Sequence, residues 1–218
     1  MRNIGLDEDT NRNLTRRMLL LLESRELAGS VHGACWNTVL ERYLQFGIKN
    51  NRPPRFLLND LVRYWRTICV DFEGKHRDTG GEDPKWVTRN AKLRTSRKLL
   101  FAGGLLPILL CHLRTADEMT AFLTRWLTVS PTDRLAAAFL RYGAMDERVR
   151  TFAAYDPWIG LMQDSVAREE LKILRAATRD GSELWQDIRS VGGELQRGLN
   201  ALLFDTPLRR PAAQYAIF

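Results

Sequence analysis

PPRFLLNDLVRYWRTICVDFEGK, residues 53–75, is the stretch that decides the fold class. Leu57, Leu61, Tyr64, Trp65, Ile68 and Phe72 recur at spacings of three and four, which lays them on one broad stripe of an α-helix. Pro54 suits the first helical residue, because a missing N–H costs nothing there. Gly74 predicts the end of the helix at about residue 73. The period-two alternation of a half-buried strand is hard to find here or elsewhere in the chain.

The same helical spacing extends outward in both directions. Residues 13–28 and 34–46 read as two short amphipathic helices divided by Gly29, Ser30 and Gly33. After 54–73, GKHRDTGGEDP reads as a loop, with Asp83 as N-cap and Pro84 in the first turn of a helix running to about Ala102. Gly103 and Gly104 predict a break, with a new helix starting near Pro107 and ending at about 113. Further helices are expected at 116–128, 131–143, 146–155, 158–178 and 182–204, with Ser130-Pro131 and Asp156-Pro157 as starts and Gly143 and Gly181 as stops. The expected fold is all-α, a single-domain multi-helix bundle. A flexible lead (1–12) precedes a helical domain (13–204) made of a hairpin (13–50), ligand-binding helices (54–128) and C-terminal helices (131–204). A tail (205–218) follows.

Composition narrows the function. In 218 residues, 44% are hydrophobic and 27% charged, which suits a folded globular chain rather than a disordered one. Lys and Arg number 33 against 26 acidic residues, a net charge of +7, and this favours an anionic partner such as nucleotide phosphate, nucleic acid or an acidic protein face. Cys35, Cys69 and Cys111 are dispersed among apolar neighbours and share no metal-ligand spacing with His32, His76 or His112. They read as free thiols of a reducing cytoplasm, with no metal and no cofactor called for. The longest apolar run, Leu99–Cys111, is too short to span a bilayer, so no membrane partner is expected.

The charge is not spread evenly. KWVTRNAKLRTSRK, Lys85 to Lys98, carries six basic residues and no acidic one. On a helix, Arg89, Lys92 and Ser96 fall near one line and Asn90, Arg94, Arg97 and Phe101 near another, while Trp86, Leu93 and Leu100 face the core. Six cations in four turns repel one another unless anions sit nearby. Those anions are either ligand phosphates, which suit Arg forks, or carboxylates such as Glu82 and Asp83. On the 54–73 helix, Asn59, Arg63 and Arg66 share a face, and Asp60 and Asp71 lie on the adjacent one. The candidate phosphate-binding set is therefore Arg63, Arg66, Arg89, Lys92, Arg94 and Arg97, supported by Asn59, Asp60, Asp71 and Asn90. The structural alternative pairs Asp60 or Asp71 with Arg94 or Arg97. The bend GGLLPI suits either a ligand-proximal backbone or a tight helix crossing.

Other chemistry is poorly represented. The phosphate loop G-x-x-x-x-G-K-[ST], the G-x-S-x-G elbow and the H-E-x-x-H zinc helix do not occur. Asp7 and Asp9 form the lone Asp-x-Asp and read as a solvated lead-in to a helix. His76 reads as an exposed loop residue. Arg25 and His32 match the R-x6-H spacing of HEPN ribonucleases, but Gly29, Ser30 and Gly33 oppose the continuous helix end that motif uses.

RTSRKLLFAGGLLPILLCHLRTADEM (94–119), LTRRMLLLLESR (14–25) and NDLVRYWRTICVDFEGK (59–75) together resemble the helical half of GlnD/DUF294-like bacterial nucleotidyltransferases. That resemblance covers about residues 14–112. It implies a substrate-binding region beside a catalytic head, with Arg63, Arg66, Arg94 and Arg97 as substrate contacts. The head's metal-binding carboxylates are missing from this sequence, so the resemblance implies that metal chemistry comes from elsewhere. This chain would then be part of a larger enzyme or the partner of a separate catalytic domain. The remaining alternatives are a protein-interaction or regulatory module of the antitoxin type, and an RNA-binding helical domain.

Overall fold

The structure, a computed structural model, describes residues 4, 6, 8–142 and 145–216. The protein is an all-α, multi-helix fold, and among the described residues no strand occurs. The helices are α1 (Asn11–Leu22), α2 (Val31–Leu44), α3 (Arg55–Asp78), α4 (Trp86–Lys92), α5 (Lys98–Leu110), α6 (Ala116–Leu127), α7 (Pro131–Tyr142), α8 (Met145–Gln163), α9 (Ser165–Ile173), α10 (Glu183–Phe204) and α11 (Arg209–Pro211). A π-helical turn, Leu93–Arg97, joins α4 to α5, and a 3₁₀ turn, Cys111–Leu113, extends α5.

Three predicted boundaries are corrected. Helix α3 runs past Gly74 to Asp78, and the chain turns at Gly80 and Gly81, both with positive φ. Gly74 has ordinary helical neighbours and open space beside it, so nothing forces a stop there. Gly103 and Gly104 do not break the chain, and neither does Pro107, which α5 contains. These glycines mark a close helix crossing: a Cβ on Gly104 would lie 2.6 Å from Cδ2 of Leu22, and one on Gly103 would lie 3.0 Å from the carbonyl oxygen of Pro131. Pro157 likewise lies inside α8 rather than at a helix start. Gly143, the expected stop of α7, lies outside the described residues. In the tail, Leu208, Pro211 and Ala212 are buried.

Two compact units make up the chain. The first comprises Met1–Thr67, Leu100–Ala138 and Pro207–Phe218, and the second Ile68–Leu99 and Phe139–Thr206. In the first unit, Leu14, Met18, Leu21, Val39, Leu40, Leu57, Leu61 and Leu106 form the solvent-free centre. This is the side of α3 that the spacing of Leu57 and Leu61 predicts. Trp65 stacks on Phe101 with ring centroids 5.1 Å apart. In the second unit α10 lies against α8 and against the π-turn. Trp158, Trp185, Ile188, Leu195 and Leu202 are buried there. The run Trp86–Leu113 has the length and apolarity of a membrane span, but 67% of its most apolar window is buried within the protein.

The tightest approach in the second unit is between α10 and α8. A Cβ on Gly198 would overlap Oγ1 of Thr151, a buried hydroxyl that donates to the carbonyl of Glu147 at 2.5 Å. Gly198→Ala is expected to destabilise the protein by about 1–3 kcal/mol in chemical denaturation, because a well-packed contact resists added volume. Thr151→Ala in the same chain should recover part of that loss, and an additive pair would contradict the contact.

Candidate phosphate-binding site

The predicted site residues divide between the two units. Asn59, Asp60, Arg63 and Arg66 belong to the first, and Asp71, Arg89, Asn90, Lys92, Arg94 and Arg97 to the second.

In the first unit, two of these residues are held in a buried ionic network that the spacing did not predict. The guanidinium of Arg17 forks onto Asp9, with Nη1 2.7 Å from Oδ1 and Nη2 2.6 Å from Oδ2. Its Nη2 also donates to Oδ2 of Asp60 at 2.9 Å, and its Nε donates to the hydroxyl of Tyr43 at 2.8 Å. Tyr43 in turn donates to Oδ2 of Asp60 at 2.5 Å. Arg63 closes the network from its more exposed side: its Nη2 donates to the carbonyl of Asp9 at 2.8 Å, and Nη1 lies 3.9 Å from Oδ1 of Asp60. Asp60 is therefore the partner of Arg17, not of Arg94 or Arg97. Asp9 is 6% exposed and thus no solvated lead-in, while Asp7 lies outside the described residues. Such a network fixes the entry to α1 against α2 and α3, since removing one member would leave another buried charge uncompensated. Asn59 and Arg66 are exposed.

A second buried guanidinium in this unit has no carboxylate partner among the described residues. Arg134, 2% exposed, donates to carbonyls at the ends of two helices, Leu127 at 2.6 Å and Leu22 at 3.3 Å, and to Val129 at 3.0 Å. The partial negative charge of those helix ends favours a cation. Burial, reinforced by the charge of Arg25, still draws its pKa down to about 10. Arg25 itself lies outside any helix, and His32 Nε2 is 2.7 Å from the hydroxyl of Ser24, so the R-x6-H pair does not form a continuous helical motif.

In the second unit the acid-free run is differentiated residue by residue. Asp83 is buried and holds Arg89: Oδ2 lies 2.5 Å from Nη1, and Oδ1 accepts from the backbone N–H of Lys85 at 2.9 Å. Asp83 thus braces the start of α4 and supplies a counter-charge to one Nη of Arg89, whose side chain stays 34% exposed. Asp71 pairs with Lys75 on its own helix, not with Arg94 or Arg97. Lys92 is exposed.

Arg94 is arranged differently. Buried Asn90, one turn earlier, accepts from its Nε at 2.6 Å, and among the described residues no carboxylate pairs with its two Nη groups. The backbone at Arg94 lies close to α10, where a Cβ on Gly192 would sit 3.0 Å from the Cβ of Arg94. Lys98 follows at i+4, half-buried, and among the described residues it has no ion-pair partner. Burial, with the charge of Arg94 adding to it, lowers its pKa. Lys98 was not among the predicted contacts, although its i+4 relation to Arg94 was legible as a signal. The buried Thr95 turns its hydroxyl inward to Ala91 at 2.7 Å, and Ser96 accepts from Nε1 of Trp158 at 2.9 Å. The π-turn is thereby tied down on its inner side, with Arg94 exposed and Lys98 half-buried. Such a turn inside an α-helix is often found at functional sites. Chemically, the arrangement offers a pre-oriented guanidinium fork and an ammonium one turn on, a geometry suited to phosphate oxygens.

Among the described residues no group of His, Cys, Asp or Glu side chains could hold a metal ion. Compared with protein-family models, curated proteins and solved structures, the chain matches none of them.

The Tyr43 hydroxyl is buried and faces the Asp60 carboxylate, which pushes its pKa above the ordinary value of 10.0. A raised acid contributes stability that is complete below its unfolded pKa and is lost as pH rises past it. Stability measured by denaturant titration should therefore fall as pH climbs above 10. Tyr43→Phe, though less stable at neutral pH, should show a flatter decline there. Equal slopes for the two proteins would contradict the network's titration.

Proposed function

We propose that this chain is a helical substrate-binding module that takes phosphate groups on its basic face, as the resemblance to GlnD/DUF294-like nucleotidyltransferases implies. One observation carries the reading: the Arg94 fork is anchored at Nε by Asn90 and open at both Nη groups, with Lys98 uncompensated one turn later. Two adjacent cations without a carboxylate repel each other, and a bound phosphate would turn that repulsion into attraction. Any metal-dependent step would come from a partner catalytic domain, because the described residues offer no carboxylate cluster for it.

Titration with inorganic triphosphate tests the reading most directly. Calorimetric binding is expected for the wild-type chain, weakened about tenfold or more by Arg94→Glu or Lys98→Gln, and unaffected by Arg125→Gln on exposed α6. Short RNA is the comparison ligand. Binding to RNA whose affinity falls steeply with salt while triphosphate does not bind would favour the nucleic-acid alternative. Absence of both interactions would leave an interaction module as the surviving account.

A further inference from the structure

Phosphate contacts fix one end of a ligand, and the same unit offers something for the other end. Trp86 opens α4 and lies among aromatic neighbours, with ring centroids 5.6 Å from His76, 5.7 Å from Phe72 and 6.0 Å from Trp185. The guanidinium of Arg179 lies over the Trp86 ring, 4.6 Å from its centroid. Arg179 belongs to a 3₁₀ turn, Arg179–Gly181, between α9 and α10, and its side chain is 30% exposed. It is held lightly, by a bond to the carbonyl of Ala176 and by Asp180 at 3.8 Å. This turn can release its side chain without disturbing a helix.

Trp86 and Arg94 share the side of the chain that faces α10. Trp86 meets Trp185, and Arg94 meets Gly192, seven residues further along α10. The two helices therefore run side by side in the same direction. Eight residues at 1.5 Å each separate the Trp86 and Arg94 backbones by about 12 Å. Beside Gly193 the surface of α10 is open. A flat ring at Trp86 and a phosphate chain at Arg94 could thus belong to one ligand lying along α10. Two buried polar atoms near Trp86, Nε1 of Trp185 and Nδ1 of His76, have no hydrogen-bond partner among the described residues. A heterocycle with acceptor and donor atoms on its edge can satisfy them, whereas a hydrocarbon ring cannot. Arg94 and Lys98 favour an anionic ligand over a second cation, whereas Arg189 is already paired with Asp180.

We infer that the phosphorylated ligand carries a nitrogen heterocycle that stacks on Trp86 in the place of Arg179, so that the ligand is a nucleotide lying along α10 with its base at Trp86 and its phosphates at Arg94 and Lys98. The inference rests on the phosphate-binding reading and adds the base subsite to it. Arg179 is then an internal competitor for the ring that the base uses.

Two probes separate the two claims, inorganic triphosphate for the phosphate end and ATP for the whole ligand. The wild-type chain should bind ATP about tenfold more tightly than triphosphate, the order of one base–aromatic stack. ATP should also quench tryptophan fluorescence, and triphosphate should not. Trp86→Leu should bring ATP down to the triphosphate level, while Trp86→Phe keeps most of the difference. Arg179→Ala, at a partly exposed turn, should tighten ATP and leave triphosphate unchanged. Equal affinities for ATP and triphosphate in the wild type, or an Arg179→Ala protein with no gain for ATP, overturn the base subsite while the phosphate reading stands. If neither probe binds, both fall.

Discussion

A guanidinium taken out of water must find acceptors close by, and this constraint orders the protein. Arg17 meets it with two carboxylates and a phenol, which pins the segment before α1 to α2 and α3. Arg134 meets it at Nε and Nη2 with backbone carbonyls, including the unsatisfied ends of α1 and α6, while its buried Nη1 has no partner among the described residues. Arg89 meets it with Asp83 and so braces the start of α4. Arg94 is exposed and lies outside this constraint: Asn90 accepts from its Nε, and among the described residues no carboxylate meets its Nη groups. The rule separates three arginines held within the fold from Arg94, which stays exposed.

Glycine plays the complementary part. Gly104 against Leu22, Gly192 against Arg94 and Gly198 against Thr151 are places where a side chain would not fit between helices. At Gly192 this closeness seats the π-turn on α10, which in turn sets where the Arg94 and Lys98 side chains emerge. The link from packing to the candidate site runs through that contact. A wider helix spacing would leave the basic side chains free to scatter, and a scattered set of cations binds a phosphate at greater entropic cost.

The helical class and most helix positions were legible in the sequence, because apolar spacing of three and four is a local property of the chain. The punctuation was read less well. Gly74, Gly103-Gly104 and Pro157 signal helix ends by their intrinsic preferences, yet all of them lie inside helices here. Packing outweighs a propensity cost of about 1 kcal/mol at a glycine when the alternative is a lost helix contact. The basic run was legible as a candidate because charge is visible in sequence. That Asp83 would pair with Arg89 in particular was not, since the pair forms through the fold of the turn between them.

By itself, then, the sequence determined an all-α chain with a concentrated positive charge between Lys85 and Lys98, since both follow from residue type and periodicity. Tertiary structure alone decided the partners. Asp60 turned out to serve Arg17 across 43 positions of sequence, Asp9 proved to be buried rather than solvated, and Arg94 came to share a face with Trp86 along α10. Ion pairing and stacking depend on distances in space, and in a helical protein those distances are set by which helix faces which.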